Sequence, residues 1–190
     1  MLIWYLARGA GIAAFAALSL ATAAGAITAR RSTAVERRVL TQYVHRAAAL
    51  TGMLLLLLHL TAVLLDSYAK VGVLGAVLPL ASGYRPFAVA LGVLAMYLLV
   101  AVAGSGLLRA GFASSARGVR AWRGIHLASY GAWALSAGHF LTAGTDAGQW
   151  WARLVLLAGS AVVATGVAVR LTGPQPAARR QPQPVTGAAR

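Results

Sequence analysis

The chain has 190 residues but no cysteine and only three acidic residues. Without cysteine it can form neither disulfides nor thiolate metal sites, so any redox chemistry has to come from a bound cofactor. Charged residues make up only 11% of the chain, whereas hydrophobic residues make up 59%. That apolar share is far more than one soluble core needs, and it predicts an integral membrane protein.

Apolar segments recur along the chain, each close to the roughly 20 residues that cross a hydrocarbon core. They predict an all-α, polytopic membrane helix bundle of about five transmembrane helices, at 2–28, 41–65, 87–108, 122–143 and 150–171. The connection 66–86 is itself half apolar and predicts a short interfacial helix broken near Pro79. Residues 1–172 therefore form the predicted membrane domain. The remainder, 173–190, holds four of the six prolines and is predicted to be a disordered cytoplasmic tail.

The start of the chain allows a second interpretation. An apolar run followed by ATAAGA at 21–26 resembles a signal peptide with its cleavage site. The run lacks a basic region before it and is followed directly by Arg30 and Arg31. Both features favour a membrane anchor over a cleaved signal.

A formal net charge of +14 would suggest nucleic acid as a partner of a soluble protein. Here the arginines collect at the ends of apolar segments, so the expected partner is the lipid bilayer and not nucleic acid. The first and third connections hold eight of them: Arg30, Arg31, Arg37, Arg38, Arg109, Arg117, Arg120 and Arg123. By the positive-inside rule these connections and the C-terminus lie in the cytoplasm, and the N-terminus lies outside.

All four histidines fall in two predicted helices, His45 and His59 in the second and His126 and His139 in the fourth. Their separations of 14 and 13 residues correspond to about 21 and 20 Å along a helix. The second and fourth helices are two membrane crossings apart along the chain, so they run in the same direction. His45 therefore lies level with His126, and His59 lies level with His139. Two imidazoles complete the coordination of a haem iron, because the porphyrin supplies the other four nitrogens. Zinc, in contrast, needs about four protein ligands. The pattern predicts two b-type haems.

The two spacings are not equivalent on an ideal helix. Fourteen residues end about 40° short of whole turns, but thirteen end about 140° short. His126 and His139 would then not share a face, and a distortion at Gly131 or Gly138, or a rotated haem, is expected to absorb the difference.

This histidine pattern is accompanied by SGYRPF at 82–87, WRGIHLASYGAW at 122–133 and HFLTAGTD at 139–146. Together they resemble the ferric reductase-like transmembrane domain family over roughly residues 5–170. Its members include the membrane domains of ferric reductases, NADPH oxidases and the haem-binding subunit of a bacterial methionine sulfoxide reductase system.

The resemblance implies an inner haem held by His45 and His126 and an outer haem held by His59 and His139. It also implies electron transfer across a bacterial-type plasma membrane, from a cytoplasmic flavin or quinol donor to ferric iron or a partner protein outside. The chain departs from the larger members because it carries no flavin domain of its own, so any flavin would belong to a partner flavoprotein.

Haem propionates attract arginine. Arg46 and Arg123 are candidates at the inner haem, and Arg8 and Arg85 at the outer one. Small residues are expected to face the flat macrocycles, among them Ala47–Ala49, Gly52, Gly124, Ala128, Gly131 and Gly138. A six-coordinate iron has no open position, so no residue is predicted to be catalytic.

Three other functions remain open. A quinol-handling membrane anchor of a larger oxidoreductase would share the haems but differ in its electron donor. A histidine-based proton or metal transporter would need carboxylates within the membrane, whereas Glu36, Asp66 and Asp146 fall in connections or at a helix end. A purely structural scaffold would bind no chromophore.

Overall fold

The computed structural model describes residues 1–29 and 34–172, and within them helices are the only regular secondary structure. In chain order they are α1 (Leu2–Thr28), α2 (Val35–Leu65), α3 (Gly72–Val77), α4 (Pro86–Leu107), α5 (Arg109–Phe112), α6 (Ala116–Ala143) and α7 (Trp150–Thr172). The predicted all-α class is confirmed. The predicted tail 173–190 lies outside the described residues, as do Arg30 and Arg31 of the first connection.

Four of these helices, α1, α2, α4 and α7, are long and apolar enough to cross a membrane. They correspond to four of the five predicted segments. The remaining predicted segment, 122–143, corresponds to α6. This helix is 28 residues long but is less apolar, because it carries two histidines, two tryptophans and three arginines.

Both histidine-bearing helices begin six residues before their predicted starts, α2 at Val35 and α6 at Ala116. Arginine is a good helix former, so a helix continues through basic turns that no hydropathy window includes. The start of α6 is fixed by Ser115, whose hydroxyl accepts a hydrogen bond of 3.0 Å from the backbone N–H of Gly118. That is the usual chemistry of a helix N-cap.

Helix α1 lies at the centre of the bundle, where it packs on α2, α7 and α6, while α4 packs on α6. Seven of its nine buried residues are alanines. Large side chains point outward instead, for example Leu54 and Leu57 of α2, which are 59% and 61% exposed. Small residues inside and leucines outside are typical of helices that associate within lipid.

The connection between α2 and α4 folds over the end of the bundle. Its turn is held by the Asp66 carboxylate, which accepts hydrogen bonds from the backbone N–H groups of Tyr68 at 3.0 Å and Ala69 at 2.7 Å. Helix α3 ends at Val77, before Pro79, in line with the predicted break. Apolar side chains on both sides of α3 pack against Val89 and Val93 of α4. The connection thus covers the end of the bundle that contains His59 and His139.

Replacing Gly166 by alanine should destabilise the contact between α1 and α7. A Cβ there would lie 2.8 Å from both the Cα and the carbonyl oxygen of Ala23, backbone atoms that cannot turn aside. We expect the free energy of unfolding to fall by about 1–3 kcal/mol, measured by thermal unfolding in detergent micelles. Gly104→Ala is the control, because a Cβ there meets no atom within 4 Å; equal stability of the two variants would contradict this packing.

Candidate functional site

The four imidazoles meet in two pairs, and these are the pairs that the helix register predicts. The ring centres of His45 and His126 are 6.0 Å apart with their planes at 66°. Those of His59 and His139 are 6.3 Å apart with their planes at 79°. Each pair joins α2 to α6, and all four rings are half-buried. The bundle therefore holds two nearly equivalent pairs of imidazoles, one towards each end.

The two histidines of α2 are anchored to α1. His59 Nδ1 lies 2.7 Å from the carbonyl oxygen of Ala7, and His45 Nδ1 lies 2.7 Å from that of Ala21. These alanines are 14 residues apart, as are the two histidines. Because α1 and α2 are antiparallel neighbours, equal spacings on the two helices bring both contacts into register.

Helix α4 anchors the histidines of α6, but in two different ways. His139 Nδ1 lies 2.8 Å from the carbonyl oxygen of Ala88, which repeats the arrangement on α1. His126 Nδ1 instead faces the hydroxyl of Ser105 at 3.5 Å. That hydroxyl donates to the carbonyl of Val102 at 2.7 Å, so a serine stands between the imidazole and the backbone.

Each of the three carbonyl contacts has a glycine four residues after the acceptor. The pairs are Ala7 and Gly11, Ala21 and Gly25, and Ala88 and Gly92. One helical turn separates the members of each pair, so they lie on one face and the missing side chain leaves room for the ring. A Cβ on Gly11, Gly25 or Gly92 would lie 2.8, 3.0 or 2.8 Å from the Nδ1 atom that it faces.

These contacts fix which ring nitrogen carries the proton. A carbonyl oxygen only accepts hydrogen bonds, so Nδ1 of His45, His59 and His139 has to be the donor. In a neutral imidazole with its proton on Nδ1, the lone pair is on Nε2. Metal-bound histidines in proteins usually donate their other ring N–H to such an acceptor, which sets the tautomer and raises the basicity of the ligand.

A cavity of about 200 Å³ lies beside the His59–His139 pair. Its lining is mostly apolar and includes Phe15, Leu56, Val93, Met96 and Phe140 together with the two imidazoles. Trp4, Tyr84 and the connection after α2 close it towards the end of the bundle. An apolar space beside two imidazoles suits an apolar cofactor better than a hydrated ion.

Aromatic packing fills the space between the two pairs. Phe15 of α1 stacks on Trp133 at 6.2 Å and contacts Phe140 at 5.4 Å, centre to centre. The indole N–H of Trp133 donates to the buried hydroxyl of Ser19 at 2.9 Å. The middle of the bundle is therefore a packed, water-excluding core.

Of the four arginines predicted to meet propionates, two lie near the His59–His139 end. Arg8 forms an ion pair with Asp146 that ties α1 to the connection after α6. Arg85 donates to the carbonyl of Thr142 at 2.8 Å, and Tyr84 donates to that of Ala143 at 3.1 Å. Both acceptors are orphan carbonyls in the last turn of α6. The SGYRPF segment thus holds the end of the helix that carries His139.

Arg46 and Arg123 lie near the other pair, are exposed and make no hydrogen bond or ion pair within the described part of the chain. The glycines expected to face a macrocycle have different neighbours from one another. Gly52, Gly131 and Gly138 pack against leucine side chains, and a Cβ on Gly124 would meet open space.

The residues that do support the imidazoles, on α1 and α4, were missed by the sequence analysis. One signal for α1 was available, because Ala7–Gly11 and Ala21–Gly25 repeat the 14-residue spacing of His45 and His59. No comparable spacing identifies Ser105 as the partner of His126.

The chain is thus an all-α protein with four helices long and apolar enough to cross a membrane, and two interhelical histidine pairs form its candidate site. Residues 2–146 match the model of a family described as a domain of unknown function, DUF8596. The match covers most of the chain, so the protein belongs to this family. A search of curated proteins and a search of solved structures found no match.

Replacing Gly11 by valine should break the contact between His59 and Ala7, because the new side chain occupies the position of the ring. Nitrogen-15 NMR of histidine-labelled protein, before any cofactor is added, should report a protonated, hydrogen-bonded Nδ1 on His59 in the parent and its loss in the variant. Gly9→Val is the matched control on the same helix, since a Cβ there meets no atom within 4 Å. An unchanged His59 signal in Gly11→Val would be incompatible with the contact.

Proposed function

We propose that this protein is a membrane cytochrome that carries electrons across the bilayer through two b-type haems, each held by two histidines. His45 and His126 are the proposed ligands of the inner haem, and His59 and His139 those of the outer one. The observation that carries the proposal is the presence of two imidazole pairs whose Nδ1 atoms contact neighbouring helices.

The separation of the rings supports this assignment. A metal–imidazole bond of about 2.0–2.1 Å, added to roughly 1.1 Å from ring nitrogen to ring centre, places two axial imidazole centres about 6.2–6.4 Å apart. The ring centres of the two pairs are 6.0 and 6.3 Å apart. Each pair is thus spaced for one metal atom between its rings.

The number of ligands favours haem over a bare metal ion. Within the described residues, no group of three or more histidine, aspartate or glutamate side chains lies close enough to share a metal. Two imidazoles are too few for a typical zinc site, but they are the full protein contribution to a six-coordinate haem.

The protein would contribute ligand orientation and a dry surrounding. Hydrogen bonds from Nδ1 to Ala7, Ala21 and Ala88 hold three rings in one tautomer and make them stronger electron donors to a metal. When bound, each haem would supply reversible one-electron transfer. Because two histidines would hold each haem, its iron would exchange electrons with donor and acceptor without binding a substrate.

We further propose that α6 is a fifth crossing. Its 28 residues extend over about 42 Å, and it carries one member of each histidine pair. In the proposed topology the N-terminus is outside, and the arginine-rich end near His45 and His126 faces the cytoplasm. A flavoprotein or quinol would donate electrons there, and ferric iron or a partner protein would accept them outside. The resemblance to ferric reductase-like membrane domains supports this direction.

Purified protein should show a sharp, low-spin b-type α band after dithionite reduction, with about two haems per chain. Replacing His59 by alanine should remove the outer haem, leave about one haem per chain and stop electron transfer across vesicles, because a single imidazole cannot hold a six-coordinate iron. Pigment analysis of the purified variant measures this directly.

Leu57→Ala serves as the matched control for that variant, because Leu57 lies two residues away on α2 and its side chain is 61% exposed. It should keep both haems. Colourless wild-type protein would sink the proposal, and a His59→Ala variant that still binds two haems would refute the ligand assignment.

A further inference from the structure

His126 differs from the other three histidines in what surrounds its ring. No backbone carbonyl of residues 1–29 or 34–172 lies at hydrogen-bond distance from its Nδ1 atom, which faces the Ser105 hydroxyl at 3.5 Å, longer than an ordinary N–H···O bond. The indole of Trp122, one helical turn earlier on α6, stacks on the imidazole with ring centres 5.0 Å apart and planes at 22°.

A cation stacks on the same indole. The guanidinium carbon of Arg109, the first residue of α5, lies 5.0 Å from the centre of the Trp122 ring. That distance is within the range of a cation–π contact. Arg109, Trp122 and His126 thus form a continuous stack that begins at the basic end of the bundle and ends at the candidate iron ligand.

The stack also contains a polar group that lacks a partner. Trp122 Nε1 is buried, and nothing in the described part of the chain accepts its hydrogen bond. Buried N–H groups in native proteins nearly always have an acceptor. This orphan donor marks the surroundings of the His45–His126 pair as a place where an additional group belongs.

We propose that Arg109, acting through Trp122, raises the reduction potential of the haem at His45 and His126. The inference rests on the proposed function. Oxidation adds one positive charge at the iron, and a fixed cation nearby disfavours that state. The weak partner at His126 Nδ1 acts in the same direction, since a less polarised imidazole donates less charge and stabilises the oxidised iron less.

The size of the effect follows from the length of the stack. The two contacts of the stack are 5.0 Å each, and an imidazole centre would lie about 3.2 Å from the metal that it binds. The guanidinium would therefore lie at most about 13 Å from the iron. A unit charge at that distance, in a medium of effective dielectric about 20, changes an equilibrium roughly tenfold. Arg109 is exposed, so solvent screening lowers the expected change to about three- to tenfold.

Two substitutions of Arg109 separate its charge from its packing. Arg109→Gln should lower the midpoint potential of one haem by about 30–60 mV, which is a three- to tenfold change at 59 mV per tenfold. Arg109→Lys keeps the cation and should retain most of the parent potential. Stepwise electrochemical reduction of the purified two-haem protein, followed optically, resolves the two components, and the His59→Ala variant identifies the one at His45 and His126.

Arg120→Gln is the matched control. It removes the same charge from the same basic end, but Arg120 is not in the stack, so it should shift the potential less. The inference is overturned if Arg109→Gln shifts neither haem, or if Arg109→Gln and Arg120→Gln shift both haems equally. Those results would leave the proposed function intact, whereas protein that binds no haem would remove both.

Discussion

The hydrogen bond from a histidine Nδ1 to the carbonyl of a neighbouring helix is the interaction on which the site depends. It occurs at His45, His59 and His139, each time with an alanine carbonyl and a glycine four residues later. The glycine admits the ring, the carbonyl takes the Nδ1 proton, and Nε2 is left free for a metal. The same contacts fasten α2 to α1 and α6 to α4, so the geometry of the site and the packing of the bundle have one cause.

The sequence was sufficient to predict the helices and the register of the histidines, because apolar length and the separations of 14 and 13 residues are properties of single helices. It did not identify Ala7, Ala21 and Ala88, because a carbonyl acceptor depends on which backbone comes close and has no side-chain signature. The spacing of His126 and His139 is met without a break in α6. His126 has a serine partner and a stacked indole, side-chain contacts that no helical periodicity encodes.

The two ends of the bundle are built differently. The His59–His139 end has the cavity, the covering connection after α2 and the SGYRPF contacts that hold the last turn of α6. The His45–His126 end has basic residues and the stack of Arg109 on Trp122. The proposed one-way electron transfer needs unequal ends, because its donor and acceptor differ. Because the chain belongs to DUF8596, the question of what these two ends do applies to the other proteins of that family as well.

The most direct test of the central claim is the electron paramagnetic resonance spectrum of the oxidised protein. Imidazole planes at 66° and 79° are close to perpendicular, an arrangement that gives strongly anisotropic low-spin ferric signals. Each chain should give two such signals of equal intensity. High-spin ferric signals, which indicate an open coordination position, or the absence of any haem iron signal, would contradict it.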